Sequence, residues 1–181
     1  MKQSERWTRL NRNITLDTKH MKVYQDSVKL PSGLVIKDYS VVSLPSGVVV
    51  VATTPEGELI VQSEYKYAID QTILNLPSGS VELGEAPIEV AQRELFEETG
   101  YQAEYFELIR TLYEYPSKAT HVIHIVRGVN ASKVRGTTHE STEQISNIRA
   151  VTADELRSSG ESFNATYTIA ALSLTLPEFV T

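Results

Sequence analysis

Three glutamates, Glu94, Glu97 and Glu98, stand at i, i+3 and i+4 in a stretch that reads as the end of a helix. On an α-helix that spacing puts all three carboxylates on one face. Like charges so placed repel by about 0.2–0.5 kcal/mol per pair. They also sit in the last turn, where the helix dipole favours cations by ~0.3–1 kcal/mol per charge. Both terms oppose this arrangement, and a bound divalent cation would reverse both. Carboxylate oxygens are hard donors, so the matching ions are Mg²⁺ or Mn²⁺. A solvated acidic helix end uses the same residues, and the three glutamates alone leave both readings open.

The helix that would present them runs from Ala86 to Thr99. Pro87 is tolerated in a first turn, and Gly100 is a ready C-terminal stop. Ile88, Ala91 and Leu95 recur at i, i+3 and i+7 and predict one apolar face. Ahead of it the chain reads mostly as strands: Val23 to Leu30, Leu34 to Val42, Gly47 to Thr54 and Leu59 to Tyr65. The tetrapeptide LPSG occurs at Leu30–Gly33, Leu44–Gly47 and Leu76–Gly79. The first two copies read as turns, with proline fixing φ and glycine supplying a positive φ. Beyond the helix, Tyr105 to Tyr113, His121 to Val129 and Ile148 to Val151 read as strands, and Asn130 to Glu143 as a polar loop. Ala153 to Arg157 and Thr166 to Leu176 look helical. The expected class is α+β, a mixed sheet with helices, without a long linker.

With 181 residues, 41% of them apolar and 22% charged, the chain has the balance of a globular domain. No apolar run reaches the ~18 residues of a membrane span. The start, MKQSERWTRLNRN, has no apolar h-region, so a cytoplasmic protein is expected. Zero cysteines exclude disulfides, thiolate zinc sites and cysteine nucleophiles. The net charge of −6 is concentrated: Glu82 to Glu107 holds eight glutamates against Arg93 alone. The remainder is close to neutral, without the basic face that nucleic acid requires. Eight Lys/Arg against three acids in the first 37 residues suit a solvated arm or an anion site.

From Gly79 the sequence reads Gly79, five residues, Glu85, seven residues, then Arg93-Glu94-Leu95-Phe96-Glu97-Glu98-Thr99-Gly100-Tyr101. This resembles the signature of the Nudix hydrolases at every fixed position, with Tyr101 where an aliphatic residue is more usual. Within that family the chain is most similar to the ADP-ribose pyrophosphatase group. The further stretches that carry the likeness are Val61 to Tyr67, Leu74 to Gly79, Pro116, the acids Glu140 and Glu143, and Thr168 to Leu172.

The resemblance implies a Nudix-like α/β/α sandwich with a mixed sheet, plus an N-terminal antiparallel sheet. It implies a β-rich dimerisation region over residues 1–56, a catalytic domain over 57–181, and a homodimer. It implies Mg²⁺- or Mn²⁺-dependent attack of water on the diphosphate of ADP-ribose or a related nucleoside diphosphate sugar. Glu94 and Glu98 would hold the metal with the Ser78 carbonyl, Glu97 lying close by as ligand or partner. Gly79 would let the loop approach metal and diphosphate, while Glu85, Arg93 and Gly100 would be structural. The catalytic base would come from Glu143 or Glu140, and Lys66 would contact phosphate.

Three positions depart from the group: Glu64 and Lys66 replace a usual glutamine and arginine, and Asn75 replaces a usual acid. Lysine lacks the bidentate fork of arginine. These positions face the substrate in the family, so the alternatives are GDP-mannose, another sugar nucleotide, a dinucleotide, or a ligand sensor without turnover. His121 and His124 are three apart on a predicted strand, hence on opposite faces, and cannot pair as ligands. Tyr113 and Tyr115 read as packing residues.

Overall fold

Val48–Val51 is an unbroken run of four valines, the pattern of a strand covered on both faces. The computed structural model, which describes residues 6–134 and 144–180, builds its larger part around that run. Contacts divide the chain into two units: Met1–Pro45 with Tyr113–Val122, and Ser46–Leu112 with Ile123–Thr181.

The smaller unit is a three-stranded antiparallel sheet of β1 (Thr8–Asp17), β2 (Lys22–Lys29) and β3 (Val35–Ser43). β1 is absent from the sequence reading because all ten of its residues are exposed and polar side chains interrupt any alternation. What ties it down is Arg12, whose Nε and Nη2 each donate at 2.7 Å to the two carboxylate oxygens of buried Asp26. The same guanidinium lies 4.1 Å above the Tyr24 ring. The first LPSG closes β2 to β3 as expected, with Gly33 at φ 91 and its N–H donating to the Leu30 carbonyl.

The larger unit runs β4 (Ser46–Ala52), β5 (Leu59–Lys66), β6 (Gln71–Asn75), β7 (Ser78–Val81), α1 (Pro87–Glu94), β8 (Tyr101–Gln102) and β9 (Tyr105–Tyr113). It continues with β10 (Val122–Val129), β11 (Ser132–Lys133), β12 (Ile145–Val151), α2 (Ala153–Ser159) and α3 (Thr166–Thr175). One sheet has the order β7-β4-β10-β9, with β4 parallel to β10 and antiparallel to β7. A second has the order β12-β5-β6, and β8 pairs with β11. Because successive strand residues alternate faces, β4 serves two cores. Val48, Val50 and Ala52 pack with Val90, Ala91 and Leu95 at α1. Val49 and Val51 pack with Leu156 of α2 and Ala171 and Leu172 of α3. The result is an α/β/α sandwich on a mixed sheet, as expected.

Several details differ from the sequence reading. The second LPSG is no left-handed turn: Gly47 is a β4 residue without positive φ, since pairing with β7 and β10 draws the tetrapeptide into the sheet. The contact-defined division falls at Pro45, ahead of β4. Val90, and not Ile88, completes the apolar face of α1. The helix changes pitch after Glu94, where Leu95–Thr99 forms a π-helical turn. Tyr113 and Tyr115 are 72% and 58% exposed, so they do not pack in the core. His121 and His124 do have separate partners, Glu114 and Thr111. Among the described residues no helix is long and apolar enough to cross a membrane.

Candidate active site

The site grows from the joint between α1 and its π-helical turn. Such single turns widen the helix locally and recur at functional sites. Here the turn separates the three glutamates. Glu94 and Glu98 are 7% and 2% exposed, whereas the Glu97 side chain is 41% exposed. The turn ends at Gly100, whose φ of 75 supplies the left-handed stop and whose N–H donates to the Phe96 carbonyl.

Both buried carboxylates meet the third LPSG, at the start of β7. The Ser78 N–H donates to Glu98 Oε2 at 2.9 Å, and the Gln62 Nε2 amide donates to the same oxygen at 3.1 Å. Glu94 lies over Gly79, where a Cβ would come within 2.2 Å of its carboxylate carbon and oxygen. Gly79 is therefore required by close approach and not by an unusual φ. Arg93 gathers the acids: Nη1 is 3.0 Å from Glu94 Oε1 and 3.8 Å from Glu97, and Nη2 is 3.7 Å from Glu85. Glu85 also accepts from the Glu82 N–H at 2.8 Å, closing the loop before α1.

Burial drives the Glu98 pKa well above the ordinary glutamate value, and the charges of Glu64 and Glu94 push it the same way. The two donors on Oε2 oppose that shift. Nearby, Glu64 forms an ion pair with Lys66 and accepts from Asn75 Nδ2 at 3.1 Å. Asn75 is fully buried, donates to the Tyr167 hydroxyl at 2.9 Å and accepts from Thr168 Oγ1 at 2.7 Å. Burial raises the Tyr167 phenol pKa. One polar network thus joins Glu64 and Lys66 on β5, Asn75 on β6 and Tyr167 and Thr168 on α3.

The donor set fits a hard divalent cation in three respects. Buried carboxylates of like sign need positive charge. Gly79 lets the Glu94 carboxylate come against the backbone, where any side chain would clash with it. Gln62 is fully buried, yet its Oε1 has no hydrogen-bond partner among the described residues. Such an orphan oxygen costs about 1–3 kcal/mol. Among those residues, no three His, Cys, Asp or Glu side chains converge closely enough to enclose an ion. Arg93 draws Glu94 and Glu97 to itself instead.

Of the residues expected at the site, Ser78, Gly79, Glu94 and Glu98 come together, and Glu85 and Arg93 brace the helix. Glu97 faces Arg93 from the exposed side. Lys66 is bound to Glu64. Glu140 and Glu143 lie outside the described residues. Gln62, Tyr167 and Thr168 were not anticipated in these roles. The one available signal was Gln62 itself, an amide immediately after the apolar run Leu59–Val61 in a strand.

The comparisons with known proteins agree with this geometry. The family model described as NUDIX domain matches residues 43–171. A Bacillus subtilis (strain 168) protein named ADP-ribose pyrophosphatase is 36% identical over 107 residues, 59% of this chain and 57% of that protein. The chain thus spans little more than half the length of that relative. A Bacillus methanolicus protein named methanol dehydrogenase activator is 31% identical over 135 residues, 75% of this chain and 72% of that protein. A crystal structure of an ADP compounds hydrolase has a TM-score of 0.76 over 96% of this chain and 94% of that chain. At 21% identity, that match shows a shared fold. With its family match and its intact signature around a buried Glu98, the chain belongs to the Nudix family. Its similarity within that family is to the protein named ADP-ribose pyrophosphatase.

Replacing Gly79 by alanine is expected to displace Glu94 and lower turnover by about 10²-fold. Circular dichroism should show the fold intact. Activity within threefold of wild type would show that the Glu94–Gly79 contact is dispensable.

Proposed function

We propose that this enzyme hydrolyses the diphosphate linkage of ADP-ribose or a related nucleoside diphosphate sugar, releasing a nucleoside monophosphate and a sugar phosphate. The observation that carries the reading is the buried pair Glu94 and Glu98 held against Ser78 and Gly79. The similarity to a protein named ADP-ribose pyrophosphatase supports the substrate class.

Mg²⁺ or Mn²⁺, held by Glu94, Glu98 and the Ser78 backbone carbonyl with Glu97 alongside, would supply the positive charge that stabilises the phosphoryl oxygens during in-line attack. Arg93 orients the acids from behind and, through Glu85, fixes the start of α1. Lys66 contacts a substrate phosphate with an ammonium steadied by Glu64. Glu143 is the proposed base for the attacking water, with Glu140 as the alternative.

A second reading concerns the substrate alone. Lys66 shares its charge with Glu64, and the buried amide of Asn75 takes the place of an acid. This altered wall favours a different sugar nucleotide, such as GDP-mannose, or a dinucleotide. We also infer that the sheet β1–β3 forms a homodimer interface. β1 is an edge strand with Leu10, Ile14 and Leu16 all exposed, a surface suited to a second copy. In sedimentation at micromolar concentration a dimer is expected, and a monomer would contradict that assignment.

The function is tested by nucleoside monophosphate release from ADP-ribose, ADP-glucose, GDP-mannose, NADH and diadenosine polyphosphate, with and without Mg²⁺. One substrate should dominate, with turnover lost on chelation and reduced at least about 10²-fold in Glu98→Gln. Turnover of none, with tight ligand binding, would instead identify a sensor.

A further inference from the structure

We propose that Gln62 is a positioning residue for the reaction: its amide fixes the Glu98 carboxylate through Oε2 and leaves Oε1 as the oxygen that faces the cation. The inference rests on the assignment of Glu98 as a metal-holding residue.

Both donors that reach Glu98 land on one oxygen. Ser78 N–H lies 2.9 Å from Oε2 and Gln62 Nε2 lies 3.1 Å from it. Two donors arriving from different strands, β7 and β5, fix the plane of a carboxylate better than one can. A carboxylate so clamped meets a ligand without rotating, which is how outer partners tune the groups that hold a metal.

The placement of Gln62 makes this more than a fortuitous contact. Ile60, Gln62 and Glu64 alternate along one face of β5. Ile60 packs in the core beside α1, and Glu64 belongs to the Lys66–Asn75 network. Gln62 stands where that face turns from apolar to polar, and it is fully buried. Apart from its bond to Glu98, packing gives no reason for an amide there. A methionine or leucine would fill the space without the unpartnered Oε1. What only the amide provides is its N–H on Glu98. The orphan Oε1 is then a consequence of keeping that donor, and it can accept from a water in the occupied site.

The test is Mn²⁺ titration of the full chain without substrate, read by electron paramagnetic resonance. Wild type is compared with Gln62→Met, Gln62→Leu and Glu98→Gln. The Mn²⁺ dissociation constant should rise 10- to 100-fold in both Gln62 variants. Circular dichroism of the cation-free variants should match wild type, so that the weaker Mn²⁺ binding reports the site and not unfolding. With substrate, kcat should fall while KM changes little. If Glu98→Gln weakens Mn²⁺ binding and both Gln62 variants bind as wild type does, the positioning role is overturned and the site assignment stands. If Glu98→Gln binds Mn²⁺ as wild type does, the site assignment fails and the positioning role fails with it. Should one variant not fold, the Gln62 side-chain amide signal in ¹⁵N NMR of wild type decides: it should shift on adding Mg²⁺, and an unmoved signal would overturn the role.

Discussion

The burial of the Glu98 carboxylate is the constraint on which the rest of the site depends. At 2% exposure, with Glu64 and Glu94 acting on it, the ionised group is disfavoured unless donors or a cation meet it. Two donors do, and they come from β5 and β7, strands of two different sheets. The carboxylate therefore sits where those sheets meet. The geometry around it follows: a glycine where Glu94 must pass, a π-helical turn that turns Glu97 outward, and Arg93 balancing the acids.

The parts legible in the sequence were those with a local cause. The valine run in β4, the glycine stop at Gly100 and the spacing from Gly79 to Tyr101 each follow from a few neighbouring residues. The parts that were not legible depend on distant partners. β1 has no apolar alternation and is held by Arg12 on Asp26, 14 residues away. The second LPSG departs from a turn because its conformation is set by pairing with β7 and β10, not by its own four residues. Glu94, Glu97 and Glu98 were placed on one face by α-helical periodicity, and the π-helical turn breaks that periodicity. Gln62 bonds a residue 36 positions on, and no local pattern announces such a contact.

The departures at Glu64, Lys66 and Asn75 acquire a physical meaning in the fold. Glu64 and Asn75 hydrogen-bond across β5 and β6, and Glu64 also holds Lys66. Asn75, held by Thr168 and Tyr167, links this wall to α3. The three substitutions are thus one rearranged network and not three independent losses, and the Glu98 site beside it is unaltered in type.

The central claim is that Glu98 is the group whose buried charge a cation completes. Removing that charge should then weaken cation binding. Mg²⁺ titration calorimetry of wild type beside Glu98→Gln measures this directly. The expected result is a dissociation constant at least about 10-fold higher in the variant. Equal affinity in the two proteins would contradict the claim.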